Sequence, residues 1–233
     1  VVVACSPDGI LVCRKDKSES IKQYVDGLSL RPMYEERRWG TYKVLSDVAY
    51  ADGSRSLTKT ITLYPGKSYM EISGRLMNGT QNNNSMLYWS NVSTLVDENY
   101  QICLPQSTEF VTFHCKNFFA HWPITQESFN NMDFYKNQID ASWWKNHYMS
   151  NSMFVYDQKA DFVAGYDHGR HAGTMLTGNH NIIKGGKFWL WGPNSEWDTK
   201  ILTDNSGHYI ELMVGAYSDN QPDYNWNFPY ETK

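Results

Sequence analysis

The chain has 233 residues, of which 41% are hydrophobic and 20% are charged, with a formal net charge of −4. This composition excludes global disorder and allows a sizeable core. Lysine and arginine form no block or stripe, which argues against nucleic-acid binding by phosphate neutralisation. No apolar run approaches the roughly 20 residues of a membrane-spanning helix.

The first residues, 1–4, are strand-like (Val-Val-Val-Ala), so we expect a fragment or a processed form of a longer protein. The four cysteines, Cys5, Cys13, Cys103 and Cys115, lack the spacing of a metal site. A tight hairpin around the turn at 6–9 would pair Cys5 with Ile10 rather than with Cys13. Four free thiols are therefore expected, and the redox compartment stays open.

Strand patterns dominate the chain, and the best helical stretch, residues 16–25, is short and uncapped. Residues 56–63 and 68–77 alternate polar and apolar side chains on either side of a Pro-Gly turn, which predicts an antiparallel hairpin. Further strands are predicted at residues 86–92, 100–104, 110–113, 152–156, 161–166, 174–177, 187–191 and 208–217. Residues 1–233 are therefore predicted to form one all-β domain, with a long functional loop or lid over residues 116–151.

Tryptophan and histidine are concentrated in the later part of the chain. All seven histidines and eight of the nine tryptophans lie from Trp89 onward, beside carboxylates and amides. Flat rings can cover the C–H face of a pyranose while polar side chains bind its hydroxyls. A plain core uses aliphatic residues instead, because buried indole and imidazole N–H groups need partners. The pattern predicts a sugar-binding cleft.

Five motifs in chain order carry a family resemblance. They are Tyr88-Trp89-Ser90-Asn91, His121-Trp122-Pro123-Ile124, Tyr166-Asp167-His168-Gly169, Leu202-Thr203-Asp204 and the run 208–224. Together they resemble a bacterial family of domains of unknown function that are often fused to tetratricopeptide repeats. That family looks like a branch of the galactose-mutarotase-like superfamily, which includes aldose epimerases and domains of polysaccharide hydrolases and lyases.

The resemblance implies a galactose-mutarotase-like β-supersandwich of antiparallel sheets with long aromatic loops. Family domains normally have more sequence before this part and a further strand after it, so we expect a supersandwich that lacks its N-terminal strands. Open sheet edges would then be covered by another segment. A tetratricopeptide region or the missing N-terminal segment is the implied partner.

Glu211 is the leading catalytic candidate. Strand alternation puts Ile210 and Leu212 on one face and Tyr209, Glu211 and Met213 on the other. A carboxylate on a rigid strand suits a general base or nucleophile, although a surface ion pair is the alternative. The epimerases to which the resemblance points use a carboxylate as base on the anomeric hydroxyl and a histidine as acid at the ring oxygen. The motifs around their catalytic residues are not reproduced here.

His168 and His180 are the best candidates for the acid, because each lies in a Gly-bearing segment beside a polar neighbour. A loop histidine bonded to backbone is the alternative for each. His121 resembles them, whereas His114, His147, His171 and His208 have no supporting motif. A transition-metal site from His168, His171 and His180 would need a helix that the nearby glycines disfavour. No cofactor is expected, with calcium bound by Asp and Asn oxygens left open.

Glycoside hydrolysis would need a second carboxylate, about 5–5.5 Å from the first for retention or about 6.5–9.5 Å for inversion. Glu211, Asp140, Asp167, Asp198 and Asp223 are the candidates. Trp143, Trp144 and Lys145 in the long loop suggest a sugar platform. Trp189 and Trp191 share one strand face, and a position in the core is favoured for both over a platform.

The sequence thus predicts a carbohydrate-active domain, with glycoside processing favoured. The alternatives are a non-catalytic carbohydrate-binding module, an aldose-epimerase-like enzyme, and a structural or interaction domain. The predicted catalytic residues are Glu211, His168 and His180. The predicted substrate-binding residues are Trp89, Asn91, His121, Trp122, Trp143, Trp144, Lys145, Asp167, Trp191, Asp198, Gln221, Asp223 and Tyr224.

Overall fold

The computed structural model describes residues 2–6, 9–14, 16–17, 34–37, 40–49, 55–114, 116, 118–129, 132–133, 139–217, 220 and 224–233. These residues form an all-β protein, as predicted, with short helical turns at Trp144–Asn146 and Asp198–Leu202. Most of the predicted helical stretch 16–25 lies outside the described residues. No helix in the described ranges has the length and apolar character needed to cross a membrane.

The chain divides into two compact units, the first comprising Val1–Asn84 and Trp226–Lys233 and the second Ser85–Asn225. The strands of the first unit are β1 (Val2–Ser6), β2 (Gly9–Cys13), β3 (Tyr34–Arg37), β4 (Gly40–Ala49), β5 (Arg55–Leu63) and β6 (Met70–Asn78). β1 and β2 form a hairpin in which Cys5 pairs with Ile10, as predicted. β3 to β6 form a four-stranded antiparallel sheet in chain order.

The predicted hairpin in the first unit is confirmed, since β5 pairs with β6 from Arg55↔Asn78 to Leu63↔Met70. Its turn places Gly66 at φ +69°, a left-handed conformation that glycine adopts without steric cost. Asn78, at the end of β6, is buried and donates its amide to the Asn227 and Phe228 carbonyls, each at 2.9 Å. One side chain thus ties β6 to the C-terminal segment.

The second unit and its boundaries contain the remaining strands. They are β7 (Asn84–Met86), β8 (Tyr88–Val96), β9 (Tyr100–Cys103), β10 (Phe110–Thr112), β11 (Phe119–His121), β12 (Ile124–Thr125), β13 (Ser128–Phe129), β14 (Met132–Asp133), β15 (Ile139–Asp140), β16 (Asn151–Val155), β17 (Phe162–Asp167), β18 (Ala172–Thr177), β19 (Ile183–Leu190), β20 (His208–Ala216) and β21 (Asn225–Asn227). The predicted loop 116–151 therefore contains short strands and a helical turn. Cys13 and Cys103 are free thiols, and Cys115 lies outside the described residues.

Two sheets of the second unit share one apolar core. A six-stranded antiparallel sheet has the order β11-β10-β16-β19-β20-β8, and a three-stranded sheet has the order β18-β17-β9. The six-stranded sheet contributes Ile210, Leu212 and Phe188, and the three-stranded sheet contributes Ile102 and Val163. Each such side chain stabilises the fold by about 1.5–3 kcal/mol when it is fully buried.

The opposite face of the six-stranded sheet is polar and aromatic. The register pairs Glu211 with Trp189 on one side and with Ser93 on the other. Because side chains alternate along a strand, every residue that flanks a core position on β20 points to this second face. The residues of this face on β8, β19 and β20 are Trp89, Asn91, Ser93, Leu95, Gly185, Lys187, Trp189, Tyr209, Glu211, Met213 and Gly215.

Gly215 is required by the packing of Trp89, its cross-strand partner on β8. A Cβ atom at Gly215 would lie 2.8 Å from two atoms of the Trp89 indole, much closer than van der Waals contact. The glycine therefore lets the indole lie flat against β20.

We expect Gly215→Ala to lower the free energy of unfolding by about 1–3 kcal/mol, because the indole must move away from the added methyl group. Urea denaturation followed by circular dichroism measures this loss. In a Trp89→Leu background the same substitution should cost less, since the clashing ring is gone. An equal loss in both backgrounds would contradict the packing explanation.

Candidate functional site

Glu211 is held in a defined orientation on the polar face. Its Oε2 accepts a hydrogen bond from the Asn91 amide at 3.1 Å, and its Oε1 accepts one from the Tyr209 hydroxyl at 3.1 Å. The Trp191 indole N–H donates to the same hydroxyl at 3.2 Å. Burial is the largest effect that raises the pKa of Tyr209, so its phenol stays protonated and donates to the carboxylate.

Glu211 lines an open cleft of about 320 Å³. That volume lies at the lower end of the range for small-molecule sites. The other lining residues are Trp89, Asn91, His114, Lys187, Trp189 and Met213. The cleft therefore combines two indole rings with a carboxylate, an amide, an amine and an imidazole.

Lys187 is the buried cation of this cleft, with 4% of its surface exposed. Its Nζ lies 4.8 Å from the Trp89 ring centroid and 4.7 Å from that of Phe154, within cation–π range. Burial lowers the pKa of Lys187 to about 8, while the negative charge of Glu211 acts in the opposite direction. Lys187 is thus protonated at neutral pH but gives up its proton far more readily than an ordinary lysine.

His114 follows β10 and contacts two rings of the same face. Its imidazole centroid lies 5.2 Å from that of Phe154 and 5.8 Å from that of Trp189. Burial, and after it the charge of Lys187, lower the pKa of His114 below its usual range. The imidazole is therefore mainly neutral at pH 7, able to accept or share a proton.

Three of the predicted site residues meet in this cleft: Glu211, Trp89 and Asn91. His114 and Lys187 were missed because no local motif marks them. The core position predicted for Trp189 and Trp191 is wrong. Trp189 lines the cleft, and the Trp191 indole N–H donates a hydrogen bond to the Tyr209 hydroxyl. Because side chains alternate along a strand, Lys187 and Trp189 point to the same face of β19. The lysine at position 187 therefore indicated, from sequence alone, that this face is not part of the apolar core.

The predicted acids His168 and His180 are not part of the lining of this cleft. The His168 ring is hydrogen-bonded to Gln101 Oε1 at 2.9 Å, at the end of β17 in the three-stranded sheet. The His180 ring lies 2.7 Å from Asp161 Oδ1, which also accepts the His180 backbone N–H at 2.8 Å. Both histidines are thus held by partners away from Glu211.

The other predicted carboxylates have structural partners. Asp140 accepts the backbone N–H of Ser142 at 2.9 Å and its hydroxyl at 2.6 Å. Asp167 accepts the backbone N–H groups of Gly169 and Arg170, each at 2.9 Å. Asp198 is fully buried and lies 3.1 Å from the His208 ring.

The aromatic residues of the long loop do not form the predicted open platform. Trp144 is buried in the core, with 3% of its surface exposed. The Trp143 ring contacts the His168 ring at 5.1 Å between centroids and lies 5.0 Å from Lys145 Nζ. The Trp143 ring is therefore packed against His168, which follows β17, and the exposed Lys145 lies over the same indole.

The remaining predicted residues lie elsewhere or outside the described part. His121 is paired with Glu127 at 2.5 Å, and Trp122 packs against the core. Tyr224 is exposed, while Gln221 and Asp223 lie outside the described residues. In the described ranges, three or more histidine, cysteine or acidic side chains nowhere come together as metal ligands, and His168, His171 and His180 form no such group.

A sequence profile of the family "Domain of unknown function (DUF5107)" matches residues 33–232. The chain belongs to this family. The match covers the second unit and the first unit from residue 33 to 84 and from 226 to 232, and it includes every residue of the cleft. The membership agrees with the resemblance that the five sequence motifs carry.

Solved structures show that this DUF5107 domain has the galactose-mutarotase-like fold. A TPR-domain containing protein from Parabacteroides distasonis matches 87% of the chain with a TM-score of 0.66 and 14% identity. A putative aldose 1-epimerase from Klebsiella pneumoniae matches 85% with a TM-score of 0.57 and 10% identity. A galactose mutarotase-like protein from Clostridium acetobutylicum matches 86% with a TM-score of 0.52 and 10% identity. The matched regions span 33%, 50% and 62% of those chains, respectively.

The lowered pKa of Lys187 predicts how stability depends on pH. The pKa is about 8 in the folded protein against an ordinary value of 10.5. Between these values the unfolded chain binds more protons, so this lysine makes the free energy of unfolding rise with pH in that window. We expect Lys187→Met to abolish this increase in the free energy of unfolding, as measured by urea denaturation from pH 7.5 to 10.5.

The matched control is Lys184→Met, an exposed lysine on the same strand, which should keep the wild-type slope. Identical slopes for wild type and Lys187→Met would contradict the lowered pKa.

Proposed function

We propose that the DUF5107 domain binds a sugar in the cleft around Glu211 and interconverts its anomers as an aldose-epimerase-like enzyme. The observation that carries the proposal is the placement of Glu211, fixed by Asn91 and Tyr209, in one cleft with Lys187. The cleft thereby offers a hydrogen-bond acceptor and a proton donor to one small ligand. The likeness to epimerase and mutarotase-like folds supports this reaction class by analogy.

The reaction needs one proton acceptor and one donor. Glu211 would take the proton of the anomeric hydroxyl while the bond between the anomeric carbon and the ring oxygen breaks. The Lys187 ammonium would give its proton to that oxygen, which leaves an open-chain aldehyde. After rotation of the aldehyde, the two proton transfers run in reverse and the ring closes on the other face. Both side chains then regain their initial protonation states.

Lys187 suits the role of the acid better than the histidines predicted from sequence. A pKa of about 8 keeps its ammonium protonated at pH 7 yet close to the working pH, the condition for effective acid catalysis. His114, whose pKa is lowered, is mainly neutral there and would instead share a hydrogen bond with a sugar hydroxyl. The Trp89 and Trp189 indoles offer apolar surface for the C–H face of the ring.

The cleft favours this chemistry over the glycoside processing expected from sequence. Hydrolysis uses two carboxylates about 5–9.5 Å apart, and Glu211 is the carboxylate among the described lining residues. Asp140, Asp167 and Asp198 are engaged with Ser142, Arg170 and His208. These three of the carboxylates proposed as its partners thus have structural roles, and the fourth, Asp223, lies outside the described residues.

A second candidate is a carbohydrate-binding module without turnover. The observation that favours it is that each oxygen of Glu211 already accepts a hydrogen bond, from Asn91 and from Tyr209. A carboxylate held in this way can act as a hydrogen-bond acceptor for a sugar hydroxyl without removing its proton.

We expect Glu211→Gln to lower kcat/KM for mutarotation of free aldoses by about 10²–10⁴-fold, because an amide cannot take up the proton. Polarimetry with freshly dissolved α-D-glucose and α-D-galactose measures the rate. The control Glu196→Gln changes an exposed carboxylate paired with Lys200 and should leave the rate unchanged.

If the wild type binds sugar but does not accelerate mutarotation, the proposed enzymatic activity is contradicted and the binding module is favoured. Equal rates for wild type and Glu211→Gln would remove Glu211 from the reaction.

A further inference from the structure

A second cleft adjoins the first on the same face of the second unit. It has a volume of about 350 Å³ and is lined by Ser93, Thr94, Leu95, Leu202, Thr203, Tyr209 and Glu211. Glu211 belongs to both clefts and lies where they meet. Along β8 the lining passes from Trp89 and Asn91 in the first cleft to Ser93 and Leu95 in the second, so the two clefts are neighbours at Glu211.

The chemistry of the second cleft differs from that of the first. Apart from Glu211, its described lining has no charged side chain. Leu95 and Leu202 are 39% and 47% exposed, which leaves apolar surface open to a ligand. Ser93, Thr203 and Tyr209 place hydroxyl groups beside these leucines.

The outer wall of the second cleft is firmly anchored. Leu202 ends the helical turn Asp198–Leu202. The buried carboxylate of Asp198, at the start of this turn, is paired with His208 of β20 at 3.1 Å, and the Asp198 backbone carbonyl accepts the Thr203 backbone N–H at 3.1 Å. The Thr203 hydroxyl donates to the Gly207 carbonyl at 2.6 Å. The wall is thus built in place before any ligand arrives, which reduces the entropic cost of binding.

We propose that the second cleft is a subsite for a neutral sugar ring linked to the sugar in the first cleft. Methyl groups beside hydroxyls match a pyranose, which has an apolar C–H face and a polar edge, and the uncharged lining favours a neutral ring. The preferred substrate class is therefore the reducing end of a disaccharide or oligosaccharide, and a free monosaccharide fills the first cleft alone and binds more weakly. This inference rests on the proposed function, because the first ring occupies the cleft around Glu211.

The test compares the binding of maltose, cellobiose and lactose with that of glucose and galactose by isothermal titration calorimetry, using the whole chain. At least one disaccharide should bind the wild type about tenfold or more tightly than glucose and galactose, a gain of about 1.4 kcal/mol. Leu202→Asp should remove that gain and leave monosaccharide affinity unchanged. The control Ile201→Asp alters an exposed neighbour outside the described lining and should keep the gain.

Equal affinities for disaccharides and monosaccharides would overturn the subsite while leaving sugar binding at Glu211 intact. The subsite would also be overturned if Leu202→Asp weakened both ligand classes equally. If none of the five sugars bound, both the subsite and the proposed function would fail.

Discussion

The antiparallel register of β8, β20 and β19 is the constraint on which the rest of the second unit depends. It directs Ile210, Leu212 and Phe188 into the core and Glu211 and Lys187 to the opposite face. A slip of one residue would exchange the two sets. Each large apolar side chain loses about 1.5–3 kcal/mol when it is exposed, so the core fixes the register. The free energy of burying the apolar core therefore also fixes the positions of the polar residues of the cleft.

Burial also sets the chemistry of the cleft. Lys187 is nearly inaccessible to solvent, and its ammonium lies against the Trp89 and Phe154 rings, which compensate only part of the lost hydration. Its ammonium is consequently a stronger acid than that of an exposed lysine. Glu211 remains an acceptor because Asn91 and Tyr209 donate to it. The packing of this sheet face thus removes water from Lys187, and this desolvation gives the cleft its candidate chemistry.

The other histidines and carboxylates that the sequence highlighted serve the scaffold. His180 with Asp161, His121 with Glu127 and His208 with Asp198 are three imidazole–carboxylate pairs, and they anchor loops, strand ends and the wall of the second cleft. Loops are rich in polar residues because their backbone groups need partners outside the sheets. Local motifs of His, Asp and Asn therefore indicate ordered loops as readily as a catalytic centre.

The sequence by itself determined the all-β class, most strands of the second unit, the β5–β6 hairpin and the outward direction of Glu211. Each of these follows from a period of two or from turn residues that lie close together in the chain. Only the tertiary structure decided which residues join Glu211. His114 follows β10, whereas Lys187 and Trp189 lie on β19, and sheet order and register bring these two segments together with Glu211 on β20. Strand order is set by packing between distant segments, so no local pattern in the chain predicts that these residues lie around Glu211.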